Sequence, residues 1–170
     1  MPRVSCGVVV TDGRRILLGH STGNRHWDIP KGQAEEGETE CDAAARELLE
    51  ETGLRANPHC LVPLGRFHYR RDKDLSLFLM RCNPLPEPAD LVCISTVDDA
   101  GRPPFPEFDG FVLAGWEDLP ALVTSRMAER LAGVRRRCQR ILASDEPLDS
   151  RSAGDEDCDP APLRAHQPQG

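Results

Sequence analysis

The stretch Gly32–Leu54, GQAEEGETECDAAARELLEETGL, decides the reading of this chain. It opens as a polar, glycine-containing loop and closes as a run of strong helix formers. Thr39-Glu40-Cys41-Asp42 has the form of a capping box, and Ala43 to Glu51 favours helix at every position. Gly53 suits the left-handed residue that ends a helix, so the spacing predicts a helix from about Glu40 to Thr52. At about 100° per residue, Glu47, Glu50 and Glu51 fall within one arc of about 100°, while Cys41, Ala44, Ala45, Leu48 and Thr52 take another side. One side is core and the other is acid. Like charges three and four residues apart cost a few tenths of a kcal/mol per pair in an isolated helix, and Arg46 is one cation for three acids. Clustered hard carboxylate oxygens are what Mg2+ or Mn2+ requires. An acidic helix face is in general only a solvated surface, but the spacing here specifies more than composition does.

Upstream, the apolar runs Arg3 to Val10 and Arg15 to His20 bracket Thr11-Asp12-Gly13-Arg14, a hairpin signal. Ser21 to Arg25 reads as a loop and Trp27 to Pro30 as a short extended segment. Downstream, Leu61 to Tyr69 and Leu75 to Arg81 read as strands joined by the charged turn Arg70 to Asp74, with further strands at Leu91 to Val97 and Phe111 to Ala114. Proline-rich Asn83 to Pro88 and Gly101 to Pro106 are loops. After a corner at Trp116 to Leu122, a second helix is predicted over Thr124 to Ala143, with Met127, Leu131, Val134, Cys138 and Ile141 on its core face. Arg135, Arg136 and Arg137 point in three directions on that helix and read as solvated.

With 170 residues, 39% of them hydrophobic, the chain suits one domain, 1–143, followed by an acidic, proline-rich tail, 144–170, that is expected to be disordered. The tail holds seven acids and two arginines, so of the net charge of -7 only -2 belongs to the body. No apolar run approaches the roughly 20 residues that span a bilayer, and Gly7 to Val10 is too short for a signal-peptide core, so no membrane role and a cytoplasmic setting are expected. Seven cysteines, odd in number and without C-x-x-C spacing, read as reduced, mostly buried thiols rather than a disulfide framework or structural zinc. His20, His26, His59 and His68 have no metal-ligand spacing. The acidic balance discourages non-specific nucleic-acid binding, while an RNA end stays compatible as a substrate.

Gly32, Glu38, Arg46, Glu47, Glu50, Glu51 and Gly53, with aliphatic Leu48 and Leu54, match G-x5-E-x7-R-E-U-x-E-E-x-G-U, where U is aliphatic. In this 23-residue motif the chain resembles the Nudix hydrolase superfamily. The resemblance implies an α/β fold, an α/β/α sandwich around a mixed β-sheet, and metal-dependent hydrolysis of nucleoside diphosphates linked to another group. It implies that Glu50, Glu51 and the Gly32 carbonyl are ligands of Mg2+ (or Mn2+) and that Glu47 is a ligand or the base that deprotonates water. Arg46 would orient the glutamates and Glu38 would brace the loop. Glu107 stands where many members place a further metal-binding or basic glutamate, with Glu117 as the competing candidate. Lys31, just before the loop glycine, would meet a phosphate.

Tyr69 stands 16 positions after Gly53, where dinucleoside polyphosphate hydrolases commonly carry tyrosine, and Lys73 is similar to a lysine of diadenosine tetraphosphate hydrolases. Physically, a tyrosine ring offers a stacking platform for a purine, with Arg70, Arg71 and Lys73 beside it for extra phosphates. Three readings follow: a dinucleoside polyphosphate hydrolase; another Nudix pyrophosphohydrolase acting on an oxidised nucleotide, ADP-ribose or another sugar nucleotide, or an RNA 5'-triphosphate end; and a non-enzymatic nucleotide-sensing module. The intact glutamates weigh against the third. Oligomeric state is not legible here.

Overall fold

The computed structural model describes residues 3–144. Strands β1 (Arg3–Thr11) and β2 (Arg15–Ser21) form the expected hairpin. Its turn is held by the Asp12 carboxylate, which accepts from the N–H groups of Arg14 and Arg15 at 2.9 and 2.7 Å. The short β3 (Trp27–Asp28) and β4 (Lys31–Gln33) follow, then helix α1 (Glu40–Thr52). Strands β5 (Val62–Arg70) and β6 (Lys73–Arg81) pair antiparallel. The sheet runs β3-β2-β1-β6-β5, with β4 paired to β1 and a later strand, β9 (Phe108–Gly115), paired to β2. β1 and β6 are parallel and the other pairings antiparallel, so the sheet is mixed.

Both faces of this sheet are covered, which is why β1 and β6 read as continuous apolar runs rather than alternating ones. Cys6, Val8, Val10, Phe78 and Met80 pack against Ala43, Ala44, Ala45 and Leu48 of α1. Val9, Leu75, Leu77 and Leu79 pack on the other side against Met127, Leu131, Val134 and Cys138 of α3 (Ser125–Ala143). Each fully buried aliphatic side chain contributes about 1.5–3 kcal/mol. The three alanines let α1 lie close on the sheet, which matters for what its next turns carry. The α/β/α sandwich is as expected. Helix α3 starts one residue later than predicted because Thr124 is its cap, accepting from the Met127 N–H at 3.3 Å. A short α2 (Leu119–Leu122) fills the corner before it.

The segment Leu91 to Val97 is not the strand that was expected. Only Thr96–Val97 (β7) is extended and paired, with Phe105–Pro106 (β8), in a separate two-stranded sheet. The reason is where its backbone donors go: Val92 donates to the Thr52 carbonyl (3.1 Å), and Ile94 and Ser95 both donate to the Glu50 carbonyl (2.7 and 3.0 Å). These are carbonyls in the last turn of α1, which a helix end leaves without intrahelical partners. Gly53, at φ 76°, ends the helix as its left-handed cap.

Cys6, Cys41, Cys93 and Cys138 are free thiols, as expected, whereas Cys60 is disulfide-bonded and departs from that reading. Arg135 reaches Glu117 and Arg137 the Leu64 carbonyl, so that triplet does diverge. Apart from Ser144, the expected tail lies outside the described residues. Among those, no helix is long and apolar enough to cross a membrane.

Candidate active site

Helix α1 is capped by Thr39, whose hydroxyl accepts from the Asp42 N–H at 3.1 Å, and its acidic side is turned toward β4. Gly32 sits in β4, opposite Cys6 of β1. Glu47 is 8% exposed, and its carboxyl occupies the space that a side chain at position 32 would fill: a Cβ built on Gly32 collides with it. Only glycine admits the carboxylate there. Burial pushes the Glu47 carboxyl above its ordinary range while Arg46 pulls against the rise.

Arg46 organises the cluster. Its guanidinium grips Glu38 through two bonds (2.9 and 3.0 Å) and donates to Glu47 (2.7 Å), to Glu50 one turn on (3.2 Å) and to the Gln33 carbonyl (3.1 Å). Glu38 also accepts from the Glu35 N–H at 3.0 Å, which ties the loop before the helix to the helix itself. A planar fork with five donors suits this work where a lysine would not.

Glu51 is 5% exposed and accepts from the backbone N–H of Lys31 at 2.7 Å. Burial pushes its carboxyl up to about 10, with Lys31 opposing the rise and Glu107, within hydrogen-bonding reach, adding to it. Glu107 lies between β8 and β9, and the Ser95 hydroxyl donates to it at 3.0 Å. The competing Glu117 is exposed and paired with Arg135, away from this cluster. Glu107 is therefore the residue that the fold brings to the helix.

The Lys31 ammonium pairs with Asp28 at 2.8 Å. Burial would depress it, but Asp28 and, further off, Glu51 and the Tyr69 hydroxyl hold it above its ordinary value. Lys73 is depressed by burial and by the neighbouring charges of Lys31, Arg70 and Arg3. The two lysines thus share one region at the end of the sheet. Tyr69 requires a correction: it is 5% exposed and belongs to the core beneath α3, so its ring has no free face for a base. A cleft of about 280 Å3 opens over Asp28, Lys31, Glu51 and Glu107, and Asn24, Phe105 and Val97 form its other wall.

Besides burial, Glu50 and Glu107 raise the cost of ionising Glu47, and Glu107 that of ionising Glu51, an arrangement that a proton or a cation must relieve. The donors are all hard oxygens, so the set fits Mg2+ or Mn2+. Arg46 draws Glu47 and Glu50 toward itself, and among the described residues no three acidic, histidine or cysteine side chains already converge on one metal position. The histidines stand apart: His20 contacts Asp109 and Trp27, and His68 faces Asp74. Asp28 and Ser95 were missed from the sequence. Asp28 had a weak signal, its i,i+3 spacing to Lys31, and Ser95 had none.

A sandwich that sets a glutamate helix against a glycine strand has the architecture of a Nudix-type hydrolase site. The NUDIX domain family model matches residues 1–138, and the chain belongs to that family. It is a Nudix hydrolase, an enzyme of pyrophosphate-linked substrates. It is 35% identical over 127 residues to the "Uncharacterized 17.7 kDa protein in e-segB intergenic region" of Enterobacteria phage T4, a match covering 66% of this chain and 82% of that protein. It is 45% identical over 47 residues to the mouse bis(5'-nucleosyl)-tetraphosphatase [asymmetrical], covering 28% of this chain and 32% of the relative. The match to phosphatase NudJ of Escherichia coli, 37% identical, covers 39% of this chain and 44% of that protein, so the chain spans less than half the length of these two curated relatives. A solved structure of a C. elegans Ap4A hydrolase binary complex is similar in fold, with a TM-score of 0.54 at 22% identity over 82% of this chain and 98% of that one.

Proposed function

We propose that the chain hydrolyses dinucleoside polyphosphates, with diadenosine tetraphosphate as its preferred substrate and Mg2+ (or Mn2+) as its cofactor. The observation that carries this reading is Lys31 in the wall of the carboxylate cleft, with Lys73 beyond it near enough to feel the charges of Lys31 and Arg70. A tetraphosphate bridge supplies an anionic partner for each of these cations, whereas ADP-ribose has two phosphates, both needed at the glutamates. The names of the mouse and C. elegans relatives point the same way.

Glu47, Glu50, Glu51, Glu107 and the Gly32 carbonyl would hold the cation, which when bound neutralises phosphate charge and activates water. Arg46 keeps Glu47 and Glu50 aimed through its fixed charge, and Glu47, buried with a raised affinity for protons, is suited to take one from water. Asp28 holds the Lys31 ammonium at the cleft wall until a phosphate competes for it. With Tyr69 in the core, the base at the near end packs against Phe105, and a second nucleoside extends past Lys73. A cleft of about 280 Å3 suits one nucleoside rather than two.

A panel of diadenosine tetraphosphate, ADP-ribose, an oxidised nucleoside triphosphate and a triphosphorylated RNA end, compared by kcat/KM with Mg2+, tests the substrate. The expected order places diadenosine tetraphosphate first. Any other member ahead by tenfold or more overturns the choice while leaving the hydrolase class intact.

A further inference from the structure

We infer that Ser95 is a positioning residue that locks Glu107 to the glutamate helix. This rests on Glu107 belonging to the metal site. The inference starts from the segment that failed to become a strand. Ile94 and Ser95 both give their N–H groups to the Glu50 carbonyl, at 2.7 and 3.0 Å. Ser95 then accepts from the Glu107 N–H through its own carbonyl (3.2 Å) and donates to Glu107 Oε2 through its hydroxyl (3.0 Å). One residue therefore bonds the backbone of a helical metal-site glutamate on one side, and both the backbone and the carboxylate of the loop glutamate on the other. Val92 and Ile94 help tie this segment to α1, and Ser95 carries the tie on to Glu107.

A serine hydroxyl has one proton to give, and its neighbours decide where that proton points. Cys93 Sγ lies 3.3 Å from Ser95 Oγ and itself accepts from the Phe108 N–H at 3.4 Å. The thiol has the Ser95 carbonyl (3.5 Å) as well as Ser95 Oγ to donate to, and the serine proton goes to Glu107. One carboxylate oxygen of Glu107 is thereby engaged, while the same carboxyl lies within hydrogen-bonding reach of Glu51. Partners of this kind, which aim a metal-binding carboxylate without touching the metal, are typically worth about 10–100-fold in metal affinity or activity.

The test is Ser95→Ala, which keeps all three backbone bonds and removes only the hydroxyl, beside Ser95→Thr, which restores it. The Mg2+ concentration for half-maximal rate and the rise in Tm on adding Mg2+ are read for each, with KM for diadenosine tetraphosphate at saturating Mg2+. In Ser95→Ala the Mg2+ requirement is expected to rise about 10-fold or more, with KM unchanged and Tm in EDTA close to that of the parent; Ser95→Thr recovers the Mg2+ response. Ser95→Ala made in a Glu107→Gln background should add no further loss, because the hydroxyl acts only through that carboxylate. An unaltered Mg2+ response in Ser95→Ala overturns the inference, as does a full additional loss in the double variant. If Glu107→Gln alone keeps the parental Mg2+ response, the reading of Glu107 falls and this inference with it. A damaged Glu107→Gln beside an unaffected Ser95→Ala defeats this inference only.

Discussion

Replacing Glu51 by glutamine separates folding from catalysis. Gln keeps the size of the side chain and an oxygen to accept from the Lys31 N–H, and removes the charge. Burial pushes the Glu51 carboxyl up to about 10 in the fold, from an ordinary 4.5. Between those values the folded state binds more protons than the unfolded one, so the contribution to stability is full below pH 4.5 and is lost as pH rises toward 10. At pH 7 the loss has run through roughly 2.5 units at about 1.36 kcal/mol each, on the order of 3 kcal/mol. At about 2–4 °C per kcal/mol for a chain of this size, Glu51→Gln should melt about 6–12 °C above the parent at pH 7 in EDTA. Its Tm should also fall less steeply with pH. Mg2+ should reverse the order, raising the parent's Tm and leaving the variant's, while hydrolysis by the variant falls by orders of magnitude. Melting curves from pH 5 to 9 with EDTA or Mg2+ read both effects. An identical pH slope for the two proteins in EDTA, or a parental rate from the Gln variant, would refute the reasoning.

Gly32→Ala puts a methyl group where the Glu47 carboxyl lies, so kcat should drop about 100-fold from misplacement alone, with Tm nearly unchanged in a stopped-assay and melting comparison. Arg46→Lys cannot keep the paired bonds to Glu38 while also reaching Glu47 and Glu50; activity should fall about 10–100-fold, and pairing it with Glu38→Gln should add little. Tyr69→Ala should cost about 3 kcal/mol in urea unfolding, as a core truncation does. Phe105→Ala, by contrast, should leave stability alone and raise KM about 10-fold, the worth of one stacked base; the reverse pattern would return the stacking role to Tyr69.

What could be read from the sequence was what local chemistry controls. Helix α1 was legible to the residue because Thr39 and Gly53 cap it and because its acids and alanines fall on separate sides. The buried face of α3 was legible for the same periodic reason. The misread strand at Leu91 to Val97 is a short apolar, β-branched run such as strands use, yet its donors are spent on the end of a helix some 40 residues earlier, a debt invisible along the chain. Tyr69 failed for a related reason. Register shifts in β5 between Pro63 and Gly65 and between His68 and Arg70 help decide which face its residues take, and no local signal reports them. Asp28 and Ser95 acquire their roles only once β3, the Val92 to Ser95 segment and Glu107 meet around α1.

The central claim is that the carboxylate cleft between α1 and β4 hydrolyses a phosphoanhydride with a divalent cation. Phosphorus NMR of the products formed from diadenosine tetraphosphate in 18O-enriched water tests it most directly. Two nucleotides should appear, with one 18O atom on the attacked phosphorus of one of them, and formation of both should stop in excess EDTA and in Glu51→Gln. Intact substrate after prolonged incubation with Mg2+ or Mn2+, or cleavage that continues unchanged in EDTA, would contradict the account.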